Sequence, residues 1–90
     1  MWITFDPAKR ALTLQHRSLD FADAAEVFAG QTATRADDRR DYGETRLITA
    51  GHLRGRFVVL VWTPRGYARH VISMRYGHGR EEENWRDAMG

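Results

Sequence analysis

Gly55-Arg56-Phe57-Val58-Val59-Leu60-Val61-Trp62-Thr63-Pro64-Arg65-Gly66-Tyr67-Ala68-Arg69-His70-Val71-Ile72-Ser73-Met74-Arg75-Tyr76 holds two runs rich in β-branched and aromatic residues. The runs flank Pro64-Arg65-Gly66, a short connection whose glycine accepts positive φ, so the stretch reads as an antiparallel β-hairpin. In the first strand, alternation puts Phe57, Val59 and Val61 on one face and Val58, Leu60 and Trp62 on the other. Both faces are apolar, which predicts a central strand. In the second, His70, Ile72 and Met74 alternate onto a packing face, while Tyr67, Arg69, Val71, Ser73 and Arg75 share the other.

Upstream of the hairpin, Glu44 to Ala50 reads as a further strand, turning through Gly51-His52-Leu53-Arg54-Gly55. Residues 31 to 43 are polar and charged and predict a ragged edge strand or a loop. At the other end of the chain, residues 1 to 5 alternate as a short strand. Asp6 then caps a helix that carries Pro7 at its first position and ends near His16. Asp20 caps a second helix in which Phe21, Ala24, Ala25 and Phe28 recur at helical spacing, with Gly30 stopping it. Gly79 to Met89 predicts a last helix, with Glu81, Glu82 and Glu83 at its positive end and Trp85 and Met89 on one side. The expected class is α+β: an antiparallel sheet with two N-terminal helices packed on it and a C-terminal helix. Trp2, Trp62 and Trp85 are expected to fill the core.

Ninety residues suit one domain, 1 to 90, with a single modest core. No cysteine is present, so disulfides, thiolate metal sites and a Cys nucleophile are excluded. Neither a leader pattern nor an apolar run long enough for a membrane span is found, and the expectation is a cytoplasmic protein. The net charge of +2 conceals a segregation: residues 42 to 76 carry six basic side chains and one acidic, Glu44. Thirteen of the fourteen basic residues are arginines, planar donors suited to bidentate phosphate contact.

Conventional catalytic signatures are missing. His16, His52, His70 and His78 show no paired metal-ligand spacing, and His70 by its alternation reads as a packed or edge histidine. Ser18 and Ser73 occupy no nucleophile elbow, and no glycine-rich phosphate loop occurs. No cofactor and no metal are expected. What remains is an arginine cluster, Arg46, Arg65, Arg69 and Arg75, with Glu44. Such a surface can clamp an RNA backbone and stabilise a pentacovalent phosphate while a carboxylate or His16 moves protons. The same surface also suits a non-catalytic module that binds nucleic acid or an acidic protein, or a solvated sheet face with no ligand.

Several motifs together resemble the BrnT family of type II toxins, small RelE-like ribonucleases. They are Phe5-Asp6 with Lys9; His16 ahead of Phe21-Ala22-Asp23-Ala24-Ala25-Glu26-Val27-Phe28; Gly43-Glu44-Thr45-Arg46; Val61-Trp62-Thr63-Pro64-Arg65; Val71-Ile72-Ser73-Met74-Arg75; and the Glu-rich helix reaching Trp85. The resemblance implies a RelE-like fold and cleavage of RNA without a metal, blocking translation. It also implies a ribbon-helix-helix antitoxin of the BrnA type that masks the toxin in a hetero-oligomer, such as a heterotetramer, and itself binds operator DNA. The catalytic candidates it carries over are Arg65, Arg75, Glu44 and His16; Arg46, Arg69, Ser73 and Lys9 are candidates for holding substrate. The chain departs from the family pattern at Thr13 and Gln15-His16-Arg17, where an Asn and a Lys-His-Gly run are usual, and at Met74, where Ala is usual.

Overall fold

Asp6 sets the first boundary in the chain: its Oδ1 accepts a hydrogen bond from the Ala8 amide at 2.8 Å, ending strand β1 (Trp2–Phe5) and starting helix α1 (Pro7–Arg17). The computed structural model describes residues 2 to 89; Met1, expected in the first strand, lies outside the described residues. Ser18, at φ +56°, closes α1 in the left-handed conformation. The second predicted helix is two pieces. Asp20 caps a 3₁₀ turn (Phe21–Asp23), and only then does α2 (Ala24–Ala29) follow. Strands β2 (Ala33–Ala36), β3 (Leu47–Leu53), β4 (Arg56–Arg65) and β5 (Ala68–Tyr76) come next, then helix α3 (Gly79–Met89).

The five strands form one sheet in the order β1-β5-β4-β3-β2. β2 to β5 are antiparallel to their neighbours, but β1 runs parallel to β5, with Trp2 opposite Ala68 and Phe5 opposite Val71. The sheet is therefore mixed, not wholly antiparallel as expected. Beside β5, Ile3 and Phe5 reach the main core, and the long connection that parallel pairing requires is supplied by the helices and the meander. β1 covers only the first half of β5's edge. Beyond it α1 takes over, and Arg17 Nη1 donates to the Met74 carbonyl at 3.0 Å, satisfying part of the strand edge that β1 leaves open.

β4 is central, as its two apolar faces require. Val58, Leu60 and Trp62 join Leu19, Phe21, Ala24, Val27, Val71 and Met74 beneath the 3₁₀ turn and α2, while Phe57 and Val59 pack with Trp85 of α3 on the opposite face. The helices thus lie on both sides of the sheet. Two of the three tryptophans are buried; Trp2 is 72% exposed.

Two local corrections bear on the site. The pairing of Arg65 with Ala68 leaves Gly66-Tyr67 as a two-residue loop, with Gly66 at φ +56° in its first position, so Pro64 and Arg65 belong to β4. Pro64 is tolerated because β3 begins only at Leu47, opposite Trp62, and no strand needs its missing amide there. Second, Val61 pairs with Ser73 but Trp62 with Val71, so Ile72 is the extra residue of a β-bulge. The bulge resets the alternation of β5: Val71 and Met74 both enter the main core, and His70, Ser73 and Arg75 share the opposite face.

Candidate functional site

The rows of the sheet build one end of the α3-facing side. Trp2, Ala68 and Arg65 lie abreast on β1, β5 and β4, and Thr4, His70 and Thr63 form the next row. Thr4 Oγ1 and His70 Nδ1 are in hydrogen-bond contact at 2.9 Å, which orients the imidazole. Thr63 is buried, and its hydroxyl donates to the Thr45 carbonyl at 2.6 Å, holding the segment before β3 against β4. That segment is a loop, not the strand start expected from Glu44: Gly43 turns at φ +72° and β3 begins only at Leu47. The loop is fastened again where the Asp37 amide donates to the Arg46 carbonyl at 2.8 Å.

Asp6, Lys9, Glu44, Arg46, Arg65 and His70 line a cleft of about 470 Å³ above these rows. The Glu44 carboxylate lies 3.5 Å from Arg46 and 3.9 Å from Arg65, between the two guanidinium groups. Arg46 also sits 4.0 Å over the Tyr42 ring, which fixes the plane of its fork. Burial, and then the charge of Arg65, hold the His70 imidazole below its ordinary pKa, opposed more weakly by Glu44. The cleft therefore brings together an imidazole of lowered pKa, two carboxylates and three cationic side chains. A second cleft, lined by Lys9, Leu12, Thr13, His16, Arg17, Ile72 and Ser73, meets it at Lys9 and Ile72.

Of the residues singled out in the sequence, Lys9, Glu44, Arg46 and Arg65 converge on the first cleft, and His16 and Ser73 line the second. Arg75 shares the same face but stands apart, donating two hydrogen bonds, at 2.8 and 2.6 Å, to Glu81 of α3. This pairing raises the Arg75 pKa and lowers that of Glu81. Arg69 does not belong with them. The bulge turns it to the other face of the sheet, where its guanidinium lies 4.0 Å over Phe28 and 5.3 Å from the Trp62 centroid. The expectation that Arg69 and Arg75 share a face is corrected accordingly. His70 is the residue that sequence reasoning passed over; simple alternation assigned it to the packing face, and only the bulge at Ile72 reverses that. Among the described residues no three His, Cys, Asp or Glu side chains form a group that could hold a metal ion.

The cleft, with three cationic and two acidic side chains, sits on a small α+β scaffold. Residues 5–81 match the model of a family described as the ribonuclease toxin, BrnT, of a type II toxin-antitoxin system. That match spans most of the chain, and the chain belongs to the BrnT family. With that membership come ribonuclease toxin activity and an antitoxin partner. A comparison with curated proteins returned no match.

Proposed function

We propose that this chain is a RelE-like endoribonuclease that cuts RNA without a metal ion, inhibits translation in the cytoplasm, and is neutralised by a BrnA-like ribbon-helix-helix antitoxin. The observation that supports it is the convergence of Lys9, Glu44, Arg46, Arg65 and His70 around one cleft. In the proposed reaction the 2′-oxygen of one nucleotide bonds to the adjacent phosphorus and the bond from phosphorus to the 5′-oxygen breaks. A 2′,3′-cyclic phosphate and a 5′-hydroxyl result, so one proton leaves the 2′-oxygen and one reaches the leaving oxygen.

Neutral His70, in the tautomer whose Nδ1–H donates to Thr4 Oγ1, accepts the first proton at Nε2. Arg65, Arg46 and Lys9 take up the charge that builds on the non-bridging oxygens. Glu44 keeps the two guanidinium groups in register before substrate arrives, and its carboxylate is the second proton acceptor within reach. His16, on the far side of Lys9, supplies the proton to the leaving oxygen, and Ser73 and Arg75 follow the RNA strand along the same face. The toxin and antitoxin are taken to assemble as a hetero-oligomer, a heterotetramer in the simplest symmetric case, with operator DNA reached only through the antitoxin.

Induced expression of the chain alone in a bacterium tests this, scoring growth and bulk RNA beside an Arg65→Ala control and with chelator present in the matching in vitro cleavage assay. Arrest with RNA loss, insensitive to chelator and reduced roughly 100- to 1000-fold in the control, is the expected result. RNA bound in a salt-sensitive manner without any cleavage product would leave a binding module in its place.

A further inference from the structure

Two large aromatic side chains are left mostly exposed on the described surface. Trp2 and Tyr67 are each 72% exposed, and their rings meet edge to face with centroids 5.9 Å apart and planes at 68°. An edge-to-face pair leaves ring faces open to solvent, and these two account for half of the four large hydrophobic residues exposed on the described surface. Their position is specific. Trp2 stands in one row with Ala68 and Arg65, and Tyr67 occupies the loop that joins Arg65 to Ala68. Ala68, between Trp2 and Arg65 in that row, is buried. One step along β1, about 6.8 Å, lies Thr4, the partner of His70. An exposed pair of aromatic rings therefore abuts the cationic cleft on the same face of the sheet.

We propose that Trp2 and Tyr67 form a base-stacking subsite for single-stranded RNA, holding the nucleobase next to the phosphate that Arg65 and Lys9 receive. The inference rests on the ribonuclease reading and adds the reason why a single strand, with its bases free of a duplex, is the substrate. Stacking on an aromatic ring together with a charged groove is how proteins grip unpaired strands with little sequence preference, since every base has a π-face. Charge decides between this ligand and a protein segment. The cleft next to the pair sets Arg65, Lys9 and Arg46 against Asp6 and Glu44, a net positive lining that matches a polyanion, and Trp2 and Tyr67 carry no charge to repel it.

The test uses the purified chain and fluorescent single-stranded probes in which every 2′-hydroxyl is methylated, so that binding is read without cleavage: oligo(A), oligo(U) and an abasic oligomer of equal phosphate count. Trp2→Ala and Tyr67→Ala are each expected to weaken binding of the base-bearing probes roughly 10- to 100-fold. Trp2→Phe should retain most of the affinity, and all four proteins should bind the abasic probe alike. Equal affinity of wild type and Trp2→Ala for oligo(A) and oligo(U) would overturn the subsite while leaving cleavage of unmodified RNA, and with it the ribonuclease reading, intact. Loss of antitoxin capture in Trp2→Ala with RNA binding unchanged would overturn it in favour of a protein interface on the open edge of β1. Failure of the wild type to bind any probe or cleave any RNA would remove both readings. Because both side chains are mostly exposed, the thermal midpoint of the variants is expected to stay within a few degrees of wild type, which checks that each is folded.

Discussion

Arg69 and Arg75 lie on one strand and on opposite faces of the sheet. Six residues apart, they would share a face in a regular strand; the bulge at Ile72 separates them. Arg69 stacks on Phe28 and Trp62, whereas Arg75 grips Glu81 beside the α3 core. Arg69→Ala should thus act on stability, costing about 1 kcal/mol or a thermal midpoint lower by about 5 °C, with cleavage per folded molecule unchanged. Arg75→Ala should do the reverse, leaving the midpoint nearly in place and flattening the dependence of RNA affinity on salt. Calorimetry and salt-series binding on the two variants check the pair.

His70 carries a pH signature. Its folded-state pKa is depressed below the ordinary 6.5, so the neutral imidazole persists to lower pH in the folded protein than in the unfolded chain. As a base it should give a cleavage rate that rises with pH through a midpoint below 6.5, and its stabilising contribution, present above 6.5, should be lost as pH falls towards that midpoint. His70→Gln is expected to lower the rate by about 100-fold or more at pH 7.5 and to erase the acid limb. Survival of that limb in the variant would move the base to another residue, with Glu44 the first to examine.

Asp20 fastens the turn between the first two helices. Its carboxylate takes two hydrogen bonds from Arg10, at 2.7 and 2.8 Å, and one from the Ala22 amide at 2.9 Å, and these hold its pKa at about 2. A carboxylate lowered in this way stabilises the fold above the unfolded value of 3.8 and ceases to do so as pH drops towards 2. Asp20→Ala should cost about 1 kcal/mol at pH 7 from the lost cap, and the difference from wild type should shrink below pH 3. Urea titrations at pH 7 and pH 2.5 measure both.

Gly51 marks where α2 presses on β3. A Cβ at this position would stand 2.8 Å from Val27 Cγ1, closer than packed atoms tolerate, and 3.0 Å from Thr32 Cγ2, a tight contact. Gly51→Ala is expected to destabilise by about 1 to 3 kcal/mol despite its better strand propensity, read as a lower urea midpoint at unchanged slope.

Much of this architecture was legible in the residues themselves. The apolar faces of β4, the Asp6-Pro7 start of α1 and the Glu-rich opening of α3 are local signals, and each element formed where they point. Glu44, Arg46, Arg65 and Lys9 were likewise singled out and do share a cleft. What escaped was non-local. Parallel pairing of β1 leaves no mark in four residues, since it depends on which edge accepts Ile3 and Phe5. The bulge at Ile72 has no glycine or proline to announce it, and it alone decides the faces of His70 and Arg69. Trp2 escaped because a tryptophan is ordinarily buried, and only the row it occupies explains its exposure.

The contact between Thr4 and His70 joins residues 66 positions apart, and β1 has no partner strand until β5 has been made. The cleft draws on residue 6 and residue 70 alike, so no N-terminal fragment that stops short of β5 can contain it. During synthesis the cleft cannot be complete until β5 has emerged, after α1, α2 and the strands β2 to β4. On the proposed reading, a truncated chain that lacks β5 cannot cut RNA, and the antitoxin meets a threat only in molecules whose β5 has been made.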